Sequence, residues 1–159
     1  MIYCIVAVER NQGIGYNGQM PWPHLSGDMK WFKERTTGNT VIMGATTWKG
    51  FAKPLPNRTN VVISSQPQPG ATVLYSNPER AINELKNKGD IYIMGGQALY
   101  DSVKHLVDVF YVTEIDADYT CDKFFDLDYV KKTCPNVKDV LYYEAADTTP
   151  AYTIKEYTK

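Results

Sequence analysis

The sequence has no excess of either charge. Lys and Arg total 17 against 18 Asp and Glu in 159 residues, a formal net charge of -1. A general nucleic-acid binder carries a basic excess or stripe, and a disordered chain combines more net charge with less apolar content than the 43% present, so neither class fits. No apolar run approaches the roughly 20 residues that span a bilayer. The start Met1-Ile2-Tyr3-Cys4 lacks the basic segment of a signal peptide, so a cytoplasmic protein with no membrane partner is expected. Cysteine is scarce: Cys4, Cys121 and Cys134 are odd in number, fit no paired metal or redox spacing, and are expected to be reduced and structural. The two histidines, His24 and His105, are far apart and have no neighbouring ligand pair, which argues against zinc. A G-x-S-x-G turn and a Walker A lysine are also missing, so serine hydrolase and P-loop kinase chemistry lack their central parts.

What remains is a regular alternation. Short β-branched or aromatic runs at Ile2 to Val8, Thr40 to Met43, Asn60 to Ile63, Thr72 to Tyr75, Asp90 to Met94 and Val107 to Ile115 read as strands, most of them buried on both faces. Helical stretches fall between them at Leu25 to Thr36, Ala45 to Gly50, Pro78 to Lys88 and Gln97 to Leu106; Asn77 caps the third and Gly89 follows it. Strands alternating with helices imply parallel pairing through right-handed crossovers. Val137 to Glu144 and Ala151 to Tyr157 alternate apolar and polar residues around a Thr-Thr-Pro turn, which predicts an antiparallel hairpin at the sheet edge. The expected fold is one α/β domain over residues 1–159, a mostly parallel mixed sheet with helices on both faces. Phe124, Phe125 and the many tyrosines read as packing residues, and His105 as a surface residue near a helix end.

Ligands of open α/β sheets bind outside the carboxyl ends of the strands. Gly44 and Gly95-Gly96 each end a strand before a helix, and Ser64-Ser65 end another; glycine admits a phosphate to the backbone, and two helix starts suit a pyrophosphate. The string Gly13-Ile14-Gly15-Tyr16-Asn17-Gly18 has dinucleotide-fingerprint spacing, but Pro21 and Pro23 stop a helix from opening there. Glu9 to Pro23 therefore reads as a long irregular loop suited to a lid. On the first helix Leu25, Asp28 and Phe32 share one face with Met29 beside them, while Lys30, Lys33 and Glu34 take the other. Asp28 is then either a first-turn acid favoured by the helix dipole or a lone carboxylate that grips a protonated ring from an apolar pocket, its pKa raised there.

These segments, in this order, resemble dihydrofolate reductases over essentially the whole chain: Ile5-Val6-Ala7, Met20-Pro21-Trp22, Asp28 with Trp31-Phe32-Lys33, Val41-Ile42-Met43-Gly44 with Thr47-Trp48, Leu55-Pro56-Asn57-Arg58, Ser64-Ser65, Met94-Gly95-Gly96 and Thr113 before Asp116. The resemblance implies reduction of 7,8-dihydrofolate to tetrahydrofolate by hydride transfer from NADPH, in one-carbon metabolism and thymidylate synthesis, by an antifolate target; a monomer is expected because nothing reads as an obligate exposed apolar face. By the same resemblance Asp28, supported by Thr113, binds the pterin 2-amino group and ring nitrogen, and Trp22 holds an ordered water. Ile5, Met29, Phe32, Phe51 and Leu55 wall the substrate, joined by Ala7, Met94 and Tyr100. Arg58 grips the glutamate α-carboxylate, Lys53 assists at the tail, and the loop carrying Met20 closes over the nicotinamide.

For the cofactor the resemblance implies contacts from Gly44, Thr47, Ser64, Ser65 and Gln97, with a cis peptide at Gly95-Gly96. It adds Ala7, Ile14, Gly15 and Gly18, then Ala45, Thr46, Ala98, Leu99 and Tyr100. Ala45 and Ala98 stand where similar reductases place basic residues for the 2′-phosphate, which leaves NADH use open; Lys49, one turn from Ala45, is the candidate replacement. Two other readings are the related pyrimidine reductase of riboflavin synthesis, against which Asp28 and Arg58 argue, and a binding module without turnover.

Overall fold

A computed structural model describes residues 1–159. The apolar run Ile2–Val8 forms β1. After a short strand at Gly13–Gly15 (β2), helix α1 spans Ser26–Thr36, followed by β3 (Thr40–Gly44), α2 (Ala45–Lys49), β4 (Thr59–Ile63) and β5 (Val73–Tyr75). Then come α3 (Pro78–Leu85), β6 (Ile91–Ile93), α4 (Gln97–Val103), β7 (Val109–Ile115), β8 (Lys123–Phe124) and α5 (Leu127–Thr133), before the closing hairpin of β9 (Asn136–Tyr143) and β10 (Tyr152–Thr158). Eight strands form one sheet in the order β5-β4-β3-β6-β1-β7-β10-β9. All pairings are parallel except those of β10 with β7 and β9, as the alternation of elements and the C-terminal hairpin lead one to expect.

The period of two along β1 divides the core. Cys4, Val6 and Val8 face a layer completed by Ile82 of α3, Leu99 and Val103 of α4 and Val130 of α5. Tyr3 and Ile5 face the opposite layer, where Trp31 and Phe32 of α1 and Trp48 of α2 pack. Helices therefore cover both faces. The side-chain cap at Asn77 is present, accepting from Arg80 N–H at 3.1 Å. Near its C-terminal end α1 is pinned by Arg35, which donates from Nη2 to the Tyr111 hydroxyl at 2.6 Å and lies 4.8 Å over that ring.

The structure adds to or departs from the sequence reading in four places. Residues 9–23 are not irregular throughout: β2 pairs antiparallel with β8, and Tyr16 bridges Gln19. The buried Glu9 carboxylate orders the base of this segment by accepting from the amides of Asn11 at 2.8 Å and Gly13 at 2.6 Å. The edge strand β5 is not buried on both faces, since Leu74 is 42% exposed. Phe125 joins the core, but Phe124 sits in the two-residue strand β8 and is exposed. Helix α5 was not anticipated; Asp126 caps it by accepting from Tyr129 N–H at 3.1 Å.

Candidate functional site

The chain leaves β1, runs out through β3, β4 and β5, then returns to place β6 between β3 and β1. That reversal opens a crevice at the carboxyl ends of β1, β3 and β6. Two cavities occupy it, of about 310 Å³ and about 850 Å³. Both are walled by Ile14 of β2, by Met20 of the loop that follows it, by Thr47 and by Gly96, so they meet at a common boundary.

The smaller cavity is mainly apolar. Ile5 and Ala7 of β1, Met29 and Phe32 of α1, and Phe51 and Met94 line it, and Tyr100 closes its base by donating from its hydroxyl to the Ile5 carbonyl at 2.8 Å. The carboxylate on its wall is Asp28, and Thr113 of β7 donates from Oγ1 to Asp28 Oδ1 at 2.6 Å. Burial raises the Asp28 pKa above its usual value, and the Thr113 hydrogen bond opposes the rise. A carboxylate so placed can accept paired donors from a protonated ring.

Not all of the expected substrate residues line this cavity. Trp22 is buried behind the Asp28 wall with Leu25, Ile115 and Tyr152. Leu55 packs at the edge of the aromatic core layer, and Lys53 borders a separate shallow groove. Arg58 lies outside the lining but close to it, with its guanidinium carbon 5.9 Å from the Phe32 ring centre. Its Nη1 donates to Thr36 Oγ1 and its Nε to the Pro56 carbonyl, each at 3.0 Å. Asn60 fixes the loop below by donating to the carbonyls of Leu55 and Arg58. Burial lowers the Arg58 pKa.

The larger cavity runs along Gly44, Ala45, Thr46 and Thr47 on one side and Gly96, Gln97, Ala98 and Leu99 on the other, with Gly15 and Gly18 above. Gly44 N–H donates to the Gly95 carbonyl at 2.8 Å, and the Gly95-Gly96 peptide is cis. A Cβ added at Gly44 or Gly96 would meet only atoms 3.7 Å or more away, so nothing crowds the two backbones where they line the cavity, and they form an open cradle. With five residues in α2 and seven in α4, a group placed in this cleft would meet first-turn amides rather than a long helix dipole. Gln97 Oε1 is already committed to the Phe124 amide at 2.8 Å.

Ser64 and Ser65 do not line this cleft, although neighbouring Ile63 does, and Lys49 borders the shallow groove with Lys53 instead. The ionisable side chains that do line it are Asp101, Asp122 and Lys123. Sequence reasoning missed these three, and the only available signal was their nearness to the Gly-Gly helix and to the Phe124-Phe125 pair. Asp122 also ties the loop after β1, accepting from Asn17 N–H at 3.1 Å and donating from its own amide to the Gly15 carbonyl at 2.8 Å. No helix is long and apolar enough to cross a membrane.

Known proteins match this chain in sequence and in fold. The family model described as dihydrofolate reductase matches residues 1–159. A dihydrofolate reductase of Haemophilus influenzae is 38% identical over 122 residues, covering 76% of each chain. One of Staphylococcus aureus is 38% identical over 124 residues, covering 76% of this chain and 75% of its own. Among solved structures, the dihydrofolate reductase of Enterococcus faecalis complexed with NADP(H) and RAB-propyl superposes with a TM-score of 0.82 at 30% identity, covering 99% of this chain and 95% of that one. On the match of sequence and fold, the chain belongs to the dihydrofolate reductase family.

Proposed function

We propose that the protein reduces 7,8-dihydrofolate to 5,6,7,8-tetrahydrofolate with NADPH. The observation that carries this reading is the contact of the two cavities, one holding a lone carboxylate and the other a glycine cradle, along Ile14, Met20, Thr47 and Gly96. NADPH, when bound, supplies the hydride. The cradle of Gly44, Gly95 and Gly96, with Thr46 and Thr47, would hold the cofactor while Ile14, Gly15, Gly18 and Met20 cover it.

The chain's own contribution is alignment and proton supply. Asp28 accepts from the pterin 2-amino group and ring nitrogen, held in place by Thr113, while Phe32, Met29, Phe51 and Ile5 exclude water from the ring faces. Hydride reaches C6 and a proton reaches N5, delivered by water because a carboxylate engaged at the opposite ring edge does not reach N5 directly. Trp22, packed behind the Asp28 wall, shapes the space for that water. Arg58, with Nε and Nη1 engaged by the protein, presents its remaining nitrogen to the substrate's glutamate carboxylate.

The larger cleft carries one cation, Lys123, and no arginine. With Ala45 and Ala98 at the positions facing the cradle, discrimination for a 2′-phosphate is weak and NADH is also accepted. Mixing the protein with dihydrofolate and NADPH and following reduced-nicotinamide absorbance tests the main reading. Steady turnover supports it, and tight folate binding without turnover would replace it with a binding module.

A further inference from the structure

The start of α1 has no capping side chain of its own: Leu25 stands at the cap position and makes no side-chain hydrogen bond. Helix starts leave amide donors without partners, and here one partner comes from far along the chain. The Tyr152 hydroxyl oxygen, presented by β10, accepts from Gly27 N–H at 3.1 Å in a buried setting. Gly27 is needed for the contact, since a Cβ there would lie 2.6 Å from that oxygen and 2.5 Å from the Tyr143 ring. Tyr143 of β9 stacks on Tyr152 with centroids 4.8 Å apart and holds the phenol against the helix. Two residues on, Ile154 pairs with Thr113, so β10 also backs the residue that donates to Asp28.

We propose that Tyr152 is a positioning residue for Asp28: its phenol oxygen caps the start of α1 and sets how the carboxylate stands against the cavity and how readily it takes a proton. The inference rests on the reading of Asp28 as the proton-assisting group. The groups facing Asp28 are Thr113 from β7 and Tyr152 from β10, with Tyr143 behind, and no charged side chain perturbs it. With the phenol oxygen gone, the free Gly27 amide becomes an uncompensated positive pole beside the first-turn carboxylate, which favours the Asp28 anion.

The test is a titration of the Asp28 carboxyl by NMR in protein labelled with ¹³C-aspartate, its resonance assigned by Asp28→Asn, together with the pH profile of hydride transfer. Tyr152→Phe keeps the ring and is expected to lower both midpoints by about 0.5 pH units. The neutral-pH rate should fall about threefold with the KM for NADPH unchanged. Gly27→Ala displaces the same phenol and should reproduce the shift, with no further change in the double variant. An unchanged carboxyl midpoint in folded Tyr152→Phe, or in Gly27→Ala should the first variant not fold, overturns the proposal. Failure of the underlying reading looks different: Asp28→Asn would then leave the neutral rate intact.

Discussion

Thr113 and Asp28, 85 residues apart in sequence, meet through a 2.6 Å hydrogen bond that joins β7, between β1 and β10, to the first turn of α1. The donor opposes the rise in pKa that burial imposes on this carboxylate. Asp28→Asn is expected to cut hydride transfer at pH 7 by about 10²- to 10⁴-fold and to recover in acid, where solvent protonates the substrate directly. Single-turnover rates across pH check this.

The same substitution has a stability signature of opposite sense. Burial raises the Asp28 pKa in the folded state above its usual 3.8, so the folded form binds the proton more tightly than the unfolded chain. The buried anion therefore costs stability above the raised value, and the cost fades as pH falls through it. Asp28→Asn should raise the melting temperature at pH 7, with the gain lost by pH 3.8. Thermal melts of both proteins across that range measure it.

Arg58→Ala removes a charge-assisted contact worth roughly 1.5 to 3 kcal/mol, distant from the reacting atoms. The KM for dihydrofolate should rise about 10- to 150-fold with kcat little changed. A pterin substrate lacking the glutamate serves as control and should react equally with both proteins.

Ala45→Arg brings a cation to a cleft whose lining holds Lys123 alone among the basic residues. The ratio of kcat/KM for NADPH over NADH should increase by about 10-fold or more. Lys49→Ala should leave that ratio unchanged, because Lys49 borders the neighbouring groove.

Gly13→Ala would drive a Cβ into Cys121 Sγ, with the Glu9 carboxylate 2.8 Å away. The clash should cost about 1 to 3 kcal/mol and loosen the β2–β8 pairing. Chemical denaturation gives the first effect, and amide exchange at Gly15 and Asp122 the second.

The helix bearing Asp28 was legible because its apolar residues keep one face over two turns, and the cradle because glycine marks the ends of β3 and β6. The β2–β8 pairing was not, since strands of three and two residues carry no readable period and their partners lie more than a hundred positions apart. Tyr152 was equally hidden: nothing around it announces that it caps a helix 125 residues earlier. Lys49 misled for a geometric reason. Helix α2 is little more than one turn, and the residue at its end borders a different groove from the one at its start.

Strand β1 pairs with β6 through Ile2 and Ile91 and with β7 through Tyr3 and Val109, so both its neighbours are made long after it. At a synthesis rate of about 5 to 20 residues per second, that interval lasts on the order of 5 to 20 s. Until β6 is made, the wholly apolar strand β1 has neither of its sheet neighbours, and until β7 follows it has only one. Stalled chains ending before β7 should accordingly be cut by protease within β1, and chains extended past β10 should resist.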